Sequence, residues 1–314
     1  MAIPSSGAIS LAGIRAELAT NTYNASATTT ASLEDCSDGT VATINTGNAS
    51  GDRPNGSAPH AMSEFYAYDH DLSSFSDNIS FDFDGTNDRL EGSGNLAQAF
   101  IGGATTAGAG SISIWVKLDS MSQNGMIFAL NSEEGTTNQV ILLWNNAFTR
   151  IRGNVKVAGT ANTVDSGAGL ENDGNWHHVA FTWEYGSKTS ANNEAKIYID
   201  GSNTATNTIG SDNWNDGTGP AVVGFGRNYP AGNTNPFNGH MNDIALFTDK
   251  LTATEVSTIY NSGSPKDESS HSGLLAYYKM EGYTDGDTTL TDDSSNSYSL
   301  TITNSTNIDS SDTP

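Results

Sequence analysis

The residues whose types could carry chemistry are few and mostly isolated. His177 and His178 are neighbours in a run, Trp176 to Trp183, whose apolar positions alternate. Alternation is the period of a strand, so the two imidazoles point to opposite faces and cannot easily share an ion. A histidine packed beside Trp176 is the simpler role. Acid and base work on a glycosidic bond needs two carboxylates that face each other across a short gap. No strand-like run supplies such a pair: Asp243 stands alone between Met241 and Phe247, and Glu171 and Asp173 fall in a glycine-rich loop. There is no nucleophile elbow. Gly224-Phe225-Gly226 has no helix after it to cradle a phosphate and reads as strand with close backbone contacts. Aromatic rings in polar loops offer a different chemistry. Trp214, in loop 210–219, and Tyr229, in loop 227–238, could stack on a sugar, whose apolar face and hydroxyls suit a ring set among polar groups. The alternative is that both rings pin their loops to a sheet.

The element that positions the two histidines is a β-hairpin. From Asn175 to Gly201, Val179, Phe181 and Trp183 form one face of a first strand, and Ile197 and Ile199 mark a second. The Ser-, Asn- and Gly-rich run between them is too polar to bury, and Asp200-Gly201 supplies the φ > 0 positions of a type I′ turn. Further on, Thr252 and Glu255 make a capping box. Val256, Ile259 and Tyr260 give that short helix its apolar face, and Gly263 and Pro265 end it. Beyond it, Leu274 to Lys279 and Tyr298 to Thr303 alternate as a strand pair, separated by turn residues.

Composition bounds the class. The chain has 314 residues, 33 Gly and 35% hydrophobic residues, which suits one large sandwich with long polar loops and a smaller module. Five Trp, 11 Tyr and 11 Phe in spaced alternating runs exclude disorder throughout. Thirty-six acidic residues against 13 basic ones give a net charge of −23 with no basic cluster, so nucleic acid is not a partner. The surplus reads either as a solvated surface adapted to salt, where screening acts within about 10 Å, or as carboxylates that bind calcium. One cysteine, Cys36, excludes a disulfide within the chain. No run approaches the ~18 apolar residues that span a bilayer. The first residues lack the cationic and apolar regions of a secretion signal, so synthesis in a cytoplasm without general secretion is expected.

Trp-His-x-Val followed by Ile-Tyr-Ile-Asp-Gly, with FDGTNDRL (83–90), SISIWVKLD (111–119) and FNGHMNDIALFTDKLTATEVSTIYNSG (237–263), resembles the laminin-G-like and pentraxin-like branch of the concanavalin A-like jelly rolls. The resemblance implies a mainly β fold: an antiparallel β-sandwich over residues 75–314. Residues 267–305 are similar to the strand pair that opens many such domains, here displaced to the C-terminal side. Chain ends near each other at a domain surface make such a shift easy. The resemblance also implies calcium, Ca²⁺, with Asp84, Asp243, Asp293 and Asn296 at the matching positions. Asp84 and Asp293 could instead hold Asx turns, and Ser295 stands where the family more often has Gly.

Residues 1–70 look different. Ser10 caps a helix with Leu11, Ile14 and Leu18 on one face, and Ser63 is expected to cap a second through Phe65 and Tyr66. The polar stretch 20–59 between them has few core residues and is expected to order only against a partner. Ser6-Gly7, Ile9-Ser10-Leu11, Ile14 and Ser63 with Phe65-Tyr66 resemble a short module at the start of many tailed-phage structural proteins, particularly marine ones. That resemblance implies a small, largely irregular docking module with short helices. It also implies a non-enzymatic component of a phage particle, in capsid decoration, tail or fibre. Its partners would be other virion proteins, further copies of itself and a host-surface glycan. It would be localised in the virion after assembly in the host cytoplasm, without membrane insertion. The rival from another class is a carbohydrate-active enzyme of the same superfamily, recognisable by a facing carboxylate pair. A surface adhesin is a second rival, disfavoured by the N-terminal sequence.

Overall fold

The computed structural model describes residues 3–24, 26, 31–45, 48, 51–70, 78–100, 108–119, 122–132, 139–157, 159–167, 173–185, 193–209, 220–227, 234–304, 307–309 and 312–314. The chain divides into two compact units, Met1–Ser76 and Asp77–Pro314.

In the first unit the Ser10 hydroxyl accepts the Gly13 amide at 3.0 Å and opens α1 (Leu11–Thr20), which ends on Asn21 at φ 53°. A five-residue helix α2 (Leu33–Ser37) follows, closed at its start by a capping box between Ser32 and Asp35. Two expectations fail here. Ser63 lies inside a 3₁₀ turn, Met62–Phe65, whose N-cap, Ala61, has no side-chain oxygen to cap it; the Glu64 carboxylate reaches back to accept the Ala61 amide. The polar middle also has a core. Ile3, Ile14, Leu18, Cys36, Phe65 and Tyr68 are buried together, with Leu33, Val41 and Ile44 against them. Spacing alone hides this core, because its members come from five separate segments, and Tyr68 anchors the middle by accepting the Asn45 amide through its hydroxyl at 2.8 Å.

The second unit is a mainly antiparallel β-sandwich. Its strands are β1 (Ser80–Asp84), β2 (Arg89–Gly92), β3 (Gly108–Leu118), β4 (Gly125–Ser132), β5 (Gln139–Asn145), β6 (Arg150–Val157), β7 (Thr160–Asp165) and β8 (Trp176–Tyr185). They continue with β9 (Glu194–Ile199), β10 (Ser202–Thr208), β11 (Pro220–Phe225), β12 (Asn238–Phe247), β13 (Leu274–Tyr278), β14 (Thr289–Leu290), β15 (Leu300–Thr303) and β16 (Asn307–Asp309). One sheet runs β10-β9-β8-β3-β12-β1-β16, with β13 also on β12; the other runs β14-β15-β2-β11-β4-β5-β6-β7. Two helices join them, α3 (Gly94–Phe100) and α4 (Ala253–Tyr260), the latter with the Thr252–Glu255 capping box read from sequence.

The inner faces are the alternating apolar positions. Val179, Phe181 and Trp183 of β8 pair in register with Ile199, Ile197 and Ala195 of β9, and all are buried in one core with Ile112, Ile114 and Val116 of β3. Asp200 and Gly201, at φ 50° and 72°, make the turn into β10. Phe100 of α3 sets its ring edge-on to Trp183 and Phe128 at 5.4 and 5.8 Å, joining the two sheets. The C-terminal strands differ from the expected pair. β13 joins β12 in the first sheet, while β15 lies between β14 and β2 in the second, so they bind both layers and do not bind each other. Trp115 faces outward and is covered by Tyr260 of α4, stacked at 5.9 Å.

The sheets approach closely where the Phe181 ring lies on Gly153 of β6: a Cβ at Gly153 would overlap the ring. Phe181→Ala should therefore cost about 3–5 kcal/mol and Gly153→Ala about 1–3 kcal/mol, read as shifts in urea midpoint. A loss under ~1 kcal/mol for Phe181→Ala would contradict a fully buried ring.

Candidate functional site

Four outward side chains stand side by side across the first sheet. Asp82 of β1 is opposite His240 of β12, His240 is opposite Lys117 of β3, and Lys117 is opposite Trp176 of β8. Antiparallel pairing puts such neighbours within about 5.5 Å at Cα, which lets polar side chains meet. Asp119, just past β3, and Asp312 reach the same place. The Nε2 of His240 is 3.7 Å from Asp119 Oδ2 and 3.8 Å from Asp312 Oδ2. Asp312 accepts the indole N–H of Trp176 at 2.8 Å on one oxygen and pairs with the Lys117 ammonium on the other. Asp82, Asp119 and His240 each bring a ligand atom within 4.8 Å of the others, the one such group of three His, Cys, Asp or Glu side chains among the described residues. Sequence reasoning missed it because its members lie up to 158 positions apart, joined only by strand register.

The residues assigned to calcium by resemblance do not come together. Asp84 accepts the Thr86 and Asn87 amides at 2.7 and 3.3 Å, the Asx-turn alternative. Asp243 is buried at a β-bulge of β12, at φ 48°, and accepts the Tyr277 hydroxyl. Asp293 accepts the Lys279 amide at 3.0 Å, and the Asn296 amide nitrogen donates to the carbonyls of Leu274 and Leu275. Asp84, Asp243 and Asp293 form no group of three around one point. These residues do not fit a shared calcium ion.

His177 and His178 do point apart. His178 is fully buried, between Trp115 at 5.4 Å and Tyr260 at 5.9 Å, so its aromatic neighbours are these and not Trp176. Burial holds its pKa down to about 4, and Ser113 meets its Nε2 at 2.8 Å. His177 is bonded through Nδ1 to Asp200 at 2.9 Å, and this raises its pKa. Three carboxyls are raised instead, all chiefly by burial: Asp88 to about 6, Glu268 to about 7, and Asp293.

Trp214 and Tyr229 lie outside the described residues. Among the described residues the exposed aromatic is Phe148, 52% accessible, in the turn between β5 and β6. The Phe148 amide bonds to Asn145, and Thr149 closes the turn at φ 48°. The guanidinium carbons of Arg150 and Arg152 lie 5.5 and 5.1 Å from the ring centre, and Arg152 is held by Asp165 at 2.6 and 2.8 Å. Nothing in the hydropathy pattern marks Phe148; its exposure follows from the two-strand turn that lifts it. A cavity of about 310 Å³ lies elsewhere on the second sheet, lined by Glu91, Ser93, Ser299 and Thr301 among others.

A family model described as the concanavalin A-like lectin/glucanases superfamily matches residues 91–257. No curated protein matches the chain. Among solved structures, a candidate carbohydrate binding protein from Bacteroides ovatus ATCC 8483 is similar at 19% identity and a TM-score of 0.51, over 74% of this chain. This chain spans 59% of that protein's length. The heptameric SAP-like pentraxin of Limulus polyphemus is 15% identical over 61% of this chain and 87% of its own, with a TM-score of 0.44. The CBM40 of Ruminococcus gnavus IT-sialidase, bound to α2,3 sialyllactose, is 16% identical over 58% of this chain and 96% of its own, with a TM-score of 0.45. With the family model covering more than half of its length and the sandwich topology to match, the chain belongs to the concanavalin A-like lectin/glucanases superfamily.

Proposed function

We propose that this protein is a non-enzymatic structural component of a tailed-phage particle whose sandwich binds a host-surface glycan, with residues 1–70 as the part that docks to other virion proteins. The observation that carries the glycan reading is the exposed Phe148 ring with Arg150 and Arg152 beside it, on a sandwich of a lectin and glucanase superfamily. An aromatic face stacks on the apolar side of a sugar while guanidinium donors reach its hydroxyls, the combination that carbohydrate sites use. The docking reading rests on the Ser-Gly, Ile-Ser-Leu and Phe-Tyr pattern of the first unit and on its compactness apart from the sandwich.

The raised carboxyls of Asp88 and Glu268 favour structure over catalysis. Asp88 accepts the Asp84 amide at 2.9 Å within the β1–β2 turn. Glu268 is 4% exposed, and its Oε1 sits 3.6 Å from the Lys266 ammonium, beyond hydrogen-bond reach. A catalytic acid must touch its substrate, and a side chain so buried does not. The implied consequence is a cost of ionisation. The folded-state pKa of Glu268 is raised from 4.5 to about 7, so its contribution to stability is complete below pH 4.5 and lost as pH rises through about 7. Glu268→Gln should remove up to about 3 kcal/mol of that pH dependence, measured by urea unfolding from pH 4.5 to 8. An unchanged slope would show that the carboxyl is solvated.

Binding of the full chain to a glycan array tests the main reading. Phe148→Ala should lose about 1–2 kcal/mol of affinity for any glycan retained, a drop of roughly 5- to 30-fold. Retention of full affinity would remove Phe148 from the site, and hydrolysis of an arrayed glycan would overturn the non-enzymatic reading. Removal of residues 1–70 should abolish incorporation into particles and leave glycan binding intact.

A further inference from the structure

The imidazole of His240 is only 7% exposed, and its surroundings decide which nitrogen carries the proton. Its Nδ1 meets the Ser80 hydroxyl at 3.3 Å, and that hydroxyl donates its single hydrogen to the Asp312 carbonyl at 2.7 Å. Ser80 can therefore only accept from Nδ1, which must be the protonated nitrogen of the neutral ring. In the neutral ring the lone pair of Nε2 then faces the Asp119 carboxylate at 3.7 Å, too far for a hydrogen bond and an arrangement that a cation between them would relieve, while the Asp312 oxygen at 3.8 Å is already paired with the Lys117 ammonium. Histidine metal ligands are oriented in this way, by a hydrogen bond from the other ring nitrogen.

We propose that His240 Nε2, Asp82 and Asp119 form a binding site for a divalent transition-metal ion of the Zn²⁺ class. Ligand atoms about 2.1 Å from one ion stand roughly 3 to 4 Å apart, and these three lie within 4.8 Å of one another, so a small inward movement closes the shell. An imidazole nitrogen with two carboxylate oxygens suits Zn²⁺ and its neighbours, whereas Ca²⁺ takes oxygen ligands only. Asp119, whose side chain is 44% exposed, leaves a side open for water to complete the coordination. The adjacent Lys117 ammonium is held off by Asp312. The ion would join β1, β12 and the end of β3, three neighbouring strands in a chain whose single cysteine cannot form an internal disulfide.

The test is calorimetric titration of the full chain, stripped with EDTA, with ZnCl₂ and separately with CaCl₂. One Zn²⁺ per chain is expected, with a thermal midpoint raised by the ion. Asp119→Asn and His240→Gln should each weaken binding at least about tenfold, and Ser80→Ala, which removes only the orienting bond, about 10- to 100-fold. If His240→Gln does not fold, Asp119→Asn on the partly exposed side decides. Zn²⁺ binding unaffected by Asp119→Asn would place the ion on other histidines and overturn the site. Absence of binding would overturn the site, and Ca²⁺ binding that Zn²⁺ does not displace would overturn the transition-metal assignment.

Discussion

Strand β12 must satisfy three neighbours with two edges, and the larger unit is arranged around how it does so. One edge pairs with β3 along its length; the other is divided between β1 at its start and β13 at its end. Backbone groups in a buried sheet have to find partners, so the handover must happen without leaving a gap. It happens at a bulge between Asn242 and Ala245, where Asp243 adopts the left-handed conformation that Asp tolerates better than most residues. The bulge changes the parity of the strand: Met241 points into the core before it, Ile244 and Leu246 after it. His240 consequently faces outward beside Asp82, and buried Asp243 receives the Tyr277 hydroxyl from β13.

Packing between the sheets follows a second constraint, that bulky rings need bare backbone opposite them. Phe181 lies on Gly153 across the sheets, and within the first sheet Trp183 leaves no room for a side chain at Gly110, its partner on β3. Interiors packed to crystal-like density tolerate neither a hole nor an extra methyl at such contacts. A chain with 35% hydrophobic residues can still build a sandwich in this way, because its aromatic residues supply much of the buried area. The cations are used sparingly. Lys250 lies between Glu184 and Glu194, Arg152 is forked onto Asp165, and Lys279 holds Asp267. The remaining negative charge is left to solvent and salt.

The two outward faces of the sandwich offer different chemistry. The second sheet carries Phe148 with its guanidinium neighbours at a turn, where a ligand can approach from solvent. The first carries a packed layer, with α4 over Trp115 and His178 and the His240 cluster beyond it.

The alternation of Val179, Phe181 and Trp183, the Asp200-Gly201 turn and the Thr252–Glu255 cap were legible in the sequence, because each rests on neighbours within a few positions whose spacing has one physical meaning. The same locality made the concanavalin-like order of motifs readable. What the sequence could not decide was pairing between distant segments. Leu274–Tyr278 and Leu300–Thr303 have equally good strand patterns, yet only the space left on β12 and β2 sends them to opposite sheets. The aspartates assigned to calcium look alike in sequence, and their hydrogen bonds to nearby amides, or to Tyr277, emerge only when the turns are folded. His240 and Asp82, 158 positions apart, become neighbours through antiparallel register alone, and register is a property of the assembled sheet that no local pattern contains.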